Sequence, residues 1–422
     1  MRRRLGGNLL RAAIPMALAL FAAPAALASA AEPDGQQGWL ERPQLTGDWA
    51  GLRETLAARG VVPAARYTAG FWSNVRGGFQ KGTRYEGFAE WSLKADLDRL
   101  VGWRGGGFHI DWYSYHGGQP SEDLVGPFGT QAVSGHETAR SVRFYEIHVQ
   151  QTWDDGRFLL KAGQLAADSD FFVSENADAL LNGTFGFLGL GRGTAVAPFY
   201  PLAAPGAYFL ARTADARWEG SFGVYTADIG EDERSNFGFD WSFDNGAFFI
   251  GELRTRRRPF GRPGTYTVGV VGTTAEFRHF ESGGTADSGY GLFASIDQLL
   301  VERTPARPGL GIFLRSYGSP QEDRSQVHWY VDFGLKLTRP FRSRAEDVLS
   351  LGFAYLNLSD RYVDSERARG ENVSRRESVL ELTYRFQMTG SLSVQPDVQF
   401  VFDPHLSRHD AIVIGLRAVI EL

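Results

Sequence analysis

Cysteine is absent from the 422 residues, and methionine occurs only three times. A chain without cysteine cannot be a disulfide scaffold, whatever its compartment. Positive charge is not in excess either. The formal net charge is −5, which argues against a nucleic-acid partner. Beyond residue 30 there is no apolar run long enough for a membrane-crossing helix. Mean hydropathy is −0.25, too low for a bundle of such helices. What is abundant is glycine, with 51 residues, and aromatics, with 31 Phe, 15 Tyr and 10 Trp.

Residues 1–30 read as a secretory signal peptide. Arg2, Arg3 and Arg4 precede an apolar stretch from Ile14 to Leu27, and Ala28, Ser29 and Ala30 form a small-residue cleavage site. A secreted chain without a spanning helix can still cross a membrane, but only as a closed β-barrel. In lipid, every backbone polar group must find its partner inside the protein. Residues 31–63 are expected to form a periplasmic N-terminal arm and a short amphipathic helix. Asp48 is placed to cap it, Trp49, Leu52 and Leu56 share one face, and Gly60 and Pro63 end it.

From residue 64 to 422 the period is two. Tyr85, Gly87, Ala89, Trp91 and Leu93 alternate with Arg84, Glu86, Phe88, Glu90 and Lys94. Phe108, Ile110 and Trp112 alternate with His109, Asp111 and Tyr113, and the pattern recurs to Leu422. Charges on one face and aromatics on the other over such lengths predict strands between lipid and an aqueous lumen. The fold class is therefore all-β: a transmembrane antiparallel barrel of about 16 strands. Even strand number and alternating long and short connections place 227–245 in one external loop. They also make 166–205 the third external loop. Its many rings would sit poorly in bulk water, so it is expected to fold inward.

Other motifs are weaker. The glycine run from Gly186 to Gly193 lacks the strand–helix setting of a phosphate loop. His405 and His409 have metal-like spacing but lie in a loop, and Glu231 to Glu233 lack the calcium-loop pattern. No metal and no cofactor are expected. Arg254 to Arg258 is read as a basic run facing anionic headgroups.

The order of several segments resembles the carbohydrate-selective porins of the OprB type. These are LTGDWAGLR from Leu45 to Arg53, DNGAFFIGE from Asp244 to Glu252 and GLFASIDQ from Gly291 to Gln298. DVLSLGFAY from Asp347 to Tyr355, VQPDVQF from Val394 to Phe400 and IGLR from Ile414 to Arg417 complete the series. The resemblance implies a sixteen-stranded outer-membrane barrel that passes small carbohydrates such as glucose by facilitated diffusion. Leu422 departs from the usual aromatic ending.

On that reading the polar track is expected to comprise Arg84, Glu86, Glu90, His109, Asp111, Tyr113, Glu146, His148, Asp332, Arg385, Asp397 and Arg417. Phe171, Phe172, Asn176, Phe185, Phe187 and Arg192 of the third loop would narrow it. The partners are then small sugars and outer-membrane lipid, with no nucleic acid, in a monomer or homotrimer. A general or anion-preferring pore of the same fold is the alternative. A barrel enzyme such as a lipid hydrolase is the alternative of another class.

Overall fold

The computed structural model describes residue 38 and residues 40–126, 133–187, 197–305, 307–371, 373–405, 407 and 409–422. Sixteen antiparallel strands close into one barrel, each paired with its sequence neighbours and the first with the last. They are β1 Val61–Arg76, β2 Gly82–Asp96, β3 Gly106–Gly117, β4 Val142–Trp153, β5 Phe158–Leu165, β6 Ala204–Arg212, β7 Trp218–Asp228 and β8 Ser242–Arg257. The second half comprises β9 Gly264–Arg278, β10 Thr285–Val301, β11 Gly309–Gly318, β12 Val327–Thr338, β13 Val348–Leu358, β14 Arg376–Gln387, β15 Leu392–Phe402 and β16 Ala411–Glu421. Closure pairs Arg66 with Glu421 and Phe71 with Leu416 in register. No strand edge is left open, as a hydrocarbon surround demands.

Alternation sorts the two faces. Phe71, Phe209, Phe222, Leu253, Leu292, Leu314, Phe333, Leu382 and Leu416 are exposed on the outer face. Ring pairs such as Trp91–Trp112, with centroids 5.7 Å apart, bridge neighbouring strands there. Among the described residues no inserted segment covers this face, and lipid is the solvent that suits it.

Short connections gather at one end of the barrel, for example 154–157 and 388–391, and long ones at the other. The segment 166–203 joins β5 to β6 at the long-loop end, the third connection there. The expected loop over 227–245 is shorter than anticipated. β8 already begins at Ser242, so Asp244, Asn245 and Gly246 lie within a strand rather than in a loop. Between Thr226–Ala247 and Asp228–Ser242 the register slips, and Gly246 sits at φ +80°. The Asn-Gly pair makes a bulge here, where glycine tolerates the left-handed backbone.

At the short-turn end a helix, α1 (Leu52–Ala58), rests on the barrel rim. Trp49 and Ala50 have positive φ and precede it, so Trp49 is not a helical residue. The Asp48 carboxylate accepts from the Glu54 N–H at 3.0 Å, and Gly60 ends the helix at φ +88°. Arg53 donates to the Leu422 carbonyl and covers the Trp49 ring. None of the residues of α1 is buried. It packs on the ends of β1 and β16.

The face assignment has a direct test. Leu314→Arg at the middle of β11 should cost roughly 2–4 kcal/mol if that position faces the bilayer midplane. Denaturant unfolding in lipid vesicles reads this difference. An unchanged midpoint would overturn the assignment.

Candidate functional site

The inner wall is not uniformly polar. Toward the long-loop end it is apolar, with Phe248, Ile250, Val271, Phe293, Ala354, Leu356, Val379, Val401 and Val413 all buried. The described parts of the 166–203 connection, 166–187 and 197–203, lie against this wall. Phe172 meets Phe293 at 4.7 Å, Phe171 meets Tyr208 at 5.4 Å, and Phe185 meets Phe313 at 6.3 Å between ring centroids. Phe171 is 0% and Phe172 4% exposed, so these rings do not line a passage. They anchor the segment that fills part of the lumen, each ring worth about 1.5–3 kcal/mol when fully covered. The rings of Phe171, Phe172 and Phe185, expected to narrow the passage, here pack the expected constriction segment against the wall. Phe187 ends the short helix Thr184–Phe187, α3 in chain order after Leu97–Val101, α2; its side chain and Arg192 lie outside the described residues.

A chain segment inside a barrel loses water from its own N–H and C=O groups, so it needs partners on the wall. Inward-facing side chains supply them. Arg315 on β11 is held by Asp332 on β12 at 2.5 and 3.0 Å and donates to the Phe185 carbonyl at 2.7 Å. Tyr330 donates to the Thr184 carbonyl at 3.1 Å and to Asp332 at 2.8 Å. Glu381 on β14 accepts the N–H groups of Leu181 and Asn182 at 2.5 and 2.9 Å. Gln395 donates to the Ala179 carbonyl at 2.7 Å, and Gln399 to those of Val133 at 2.8 Å and to Asp397 at 2.9 Å. Asp297 accepts from Ser174 and Asn176, which accounts for Asn176.

The described parts of a second connection, 118–126 and 133–141, are held in the same way. Glu86 accepts from Trp72 at 2.9 Å and from Ser134 at 2.5 Å, and Arg417 donates to Ser134 at 2.7 Å. Arg84 pairs with Asp123 at 2.5 Å. Arg143, 1% exposed, pairs with Asp232 at 2.8 Å. Asp232 also accepts from Thr138, so the acidic stretch of the β7–β8 connection is partly an anchor rather than a free acidic loop.

The sequence-expected polar track therefore divides. Glu86, Arg84, Asp332, Asp397 and Arg417 belong to this anchoring belt. Tyr113 lies within a packed aromatic group, 4.7 Å from Tyr145 and 5.0 Å from Phe88. His109, Asp111, Glu146 and His148 meet on β3 and β4, with His109 Nε2 2.6 Å from Asp111 and Glu146 accepting the Ala166 N–H at 2.9 Å. Glu90 and Arg385 keep partial exposure toward the short-turn end.

Toward that end charged groups are paired with opposite charges, Arg66 and Glu421 among them still exposed. Arg66 sits between Glu421 at 2.8 Å and Glu90 at 3.7 Å. Lys336 pairs with Asp178 at 2.8 Å, and Lys161 with Asp170 at 2.6 Å. Arg212, Arg254 and Arg256 converge on Glu219 at 2.5, 2.9 and 3.3 Å. Arg254 also reaches Glu252 at 2.5 Å. Arg254 and Arg256 are thus inward-facing and paired, which corrects the reading of 254–258 as a run turned to headgroups.

Sequence reasoning missed Arg315, Glu381, Gln399, Arg143 and Trp72. Arg315 and Glu381 share the inward parity of residues that were named, so the signal was present. Arg143 and Tyr145 were hidden by a slip in β4. Ile110 opposes Ile147 while Trp112 opposes Phe144, which turns both Tyr145 and Glu146 inward.

Residues 80–422 match the family model "Carbohydrate-selective porin, OprB family". The chain belongs to this family. It is an outer-membrane porin, and its family is one of channels rather than enzymes. The match begins after the LTGDWAGLR segment. This porin is 24% identical over 416 residues to QuiX of Acinetobacter baylyi, to which a porin role is ascribed, covering 89% of this chain and 92% of that one. The high-pH structure of Pseudomonas putida OprB superposes with a TM-score of 0.83 at 21% identity, over 92% of this chain and 100% of that one. The outer-membrane channel DcaP of Acinetobacter baumannii gives 0.52 at 10% identity, over 86% and 97%. At these identities the structures speak for the shared fold.

Two outcomes follow for the anchors of the porin. Arg315→Met leaves Asp332 buried without its partner and should destabilise by about 3–5 kcal/mol. The same change should free 166–203 for proteolysis and widen the channel, read as a larger single-channel conductance. Adding Asp332→Leu should recover most of the stability and not the conductance.

The second outcome concerns Glu137, in the 118–141 connection. Burial pushes its carboxyl up to about 8, opposed by the N–H groups of Ser121 and Glu122 and reinforced by nearby Glu86. An ordinary unfolded glutamate titrates near ~4.3. The folded state thus holds the proton more tightly, and its stabilising contribution is full below the unfolded value and lost as pH rises through about 8. Protection of Ser121–Val125 from hydrogen exchange, after division by the base-catalysed intrinsic rate, should fall as pH rises toward about 8 and level off above it. Glu137→Gln should flatten that dependence, and an unchanged pH response would refute the assignment.

Proposed function

We propose that small uncharged sugars, glucose among them, cross this porin passively through the lumen left beside the inserted connections. The observation that carries this reading is the pairing of opposite charges along the lumen. Arg66 with Glu90 and Glu421, Lys336 with Asp178, and Lys161 with Asp170 set donors beside acceptors of opposite sign. A sugar hydroxyl both donates and accepts, so such a wall offers it replacement partners for water. A ring of one sign would select ions instead. Each contact must stay weak, since a tight site would stop the flux.

Glu90, Arg66, His109 and Arg385 are the inward residues proposed to touch the sugar. Arg84, Glu86, Asp332, Asp397 and Arg417 would shape the passage by holding its connections. The long-loop end would face the outside and the α1 end the periplasm, following the rule for bacterial barrels. One observation favours a second reading. Arg212, Arg254 and Arg256 surround Glu219, which, with Glu252 included, leaves one net positive charge near the short-turn mouth and would suit a mildly anion-preferring pore.

Single-channel recording in a planar bilayer separates them. Saturable block of the ion current by glucose, with weak anion preference by reversal potential, is the expected result. Arg66→Gln should raise the half-blocking glucose concentration about tenfold, as loss of one charged hydrogen bond predicts. Open current insensitive to glucose would sink the sugar reading and leave the anion-preferring pore.

A further inference from the structure

Three potential metal donors, His109, Asp111 and Glu146, meet on the inner face of β3 and β4, with His148 beside them. His109 and Asp111 are two apart on β3, and Glu146 and His148 two apart on β4. His109 and His148 are direct cross-strand partners, with ring centroids 5.1 Å apart. One donor atom from each of His109, Asp111 and Glu146 lies within 4.8 Å of the others. Two buried atoms of the cluster have no hydrogen-bond partner: Asp111 Oδ1 and His148 Nδ1. Asp111 is 6% and His148 5% exposed, so water does not readily serve them.

The arrangement places two buried carboxylates on adjacent strands. Their charge is costly unless a cation is close. Lys161 is committed to Asp170 at 2.6 Å. Lys94, opposite His109 in the register, is exposed to solvent. His109 alone reaches Asp111, and it leaves Oδ1 open.

We propose that His109, Asp111, Glu146 and His148 form a site for a first-row divalent transition-metal ion, with Zn2+ the best match. Two imidazoles and two carboxylates suit zinc better than the all-oxygen shells of calcium or magnesium. Zinc bonds of roughly 2.0–2.2 Å require the donors to draw closer together than the spacing within 4.8 Å seen here. His109 would turn from Asp111 to the ion, and the ion would neutralise the two carboxylates. His109 keeps a partly exposed edge, which gives an entry path from the lumen. Glu146 accepts the N–H of Ala166, so the ion would also fix the root of the 166–203 connection.

The test uses full-length, detergent-folded protein without a polyhistidine tag, titrated calorimetrically with ZnCl2, CaCl2 and MgCl2. One equivalent of zinc should bind, with calcium and magnesium far weaker. His109→Ala and His148→Ala should each weaken zinc by more than the roughly 10–100-fold typical of changes outside a ligand set. Asp111→Asn, nearly the same shape, serves where a histidine variant fails to fold, as judged by β circular dichroism and heat-modifiable migration. No zinc binding by the folded protein overturns the proposal. So does binding that survives the double histidine change, which would point elsewhere, for example to His409. Glucose block recorded on the His148→Ala and Asp111→Asn preparations, changed at residues not assigned to the sugar, keeps this outcome separate from the sugar reading.

Discussion

A backbone amide removed from water must find another partner, and this porin meets that demand twice. Outside, hydrocarbon forces the strands to pair until no edge remains, which is why the sheet closes β1 onto β16. Inside, the same demand falls on the connections 118–141 and 166–203, which have no sheet to join. Wall side chains take the place of strands. Glu381 receives two successive N–H groups, and Arg315, Tyr330, Gln395 and Gln399 each donate to a loop carbonyl. The interior polar residues are therefore structural before they are functional.

That division explains the layering of the lumen. Apolar wall and loop rings pack together near the long-loop end, where water is excluded. Buried polar groups below them fix the loop backbone. Toward the short-turn end Arg66 and Glu421 keep contact with solvent, as do the charges of the outer connections, such as Arg375 with Asp360 and Arg361 with Glu281. Glu86 illustrates how closely the layers are joined. It touches Trp72 on β1, Ser134 of the 118–141 connection and, at 3.7 Å, Arg417 on β16. Through it, the closing seam of the barrel and the position of an inserted segment depend on one carboxylate.

The barrel was legible because alternation is a local signal that repeats in every strand. Parity named the inward face of β2, β3, β12 and β14 correctly. Depth along the barrel axis and the partner across the lumen are not local. Asp332 and Glu90 share the same parity, yet one is sealed against Arg315 and the other remains open. Nothing in their own strands distinguishes them. The rings of 166–203 gave a true hint of inward folding but not of their role, since a ring on the passage and a ring on the wall look alike in sequence. The Asn245–Gly246 pair failed for a different reason: positive φ serves a bulge as well as a turn. In β4 an irregular register broke the parity rule at Tyr145.

Pairing of charges also bears on how a neutral solute could be favoured without being trapped. An isolated lumen charge would bind water and counter-ions tightly, and a sugar would have to displace both. When Arg66 is shared between Glu90 and Glu421, each group is already partly satisfied. Its remaining donors and acceptors are directional and individually weak. A sugar can exchange water for these contacts a hydroxyl at a time, with a small change in free energy at each step. The anchored connections contribute the complementary part. Because Arg315, Glu381 and Asp297 fix the inserted backbone, the width of the passage does not adjust to each solute. On the proposed reading, selection follows from shape held rigid by buried bonds, and flux from weak contacts at exposed ones. The two demands conflict when placed on the same residues, and here they fall on different ones.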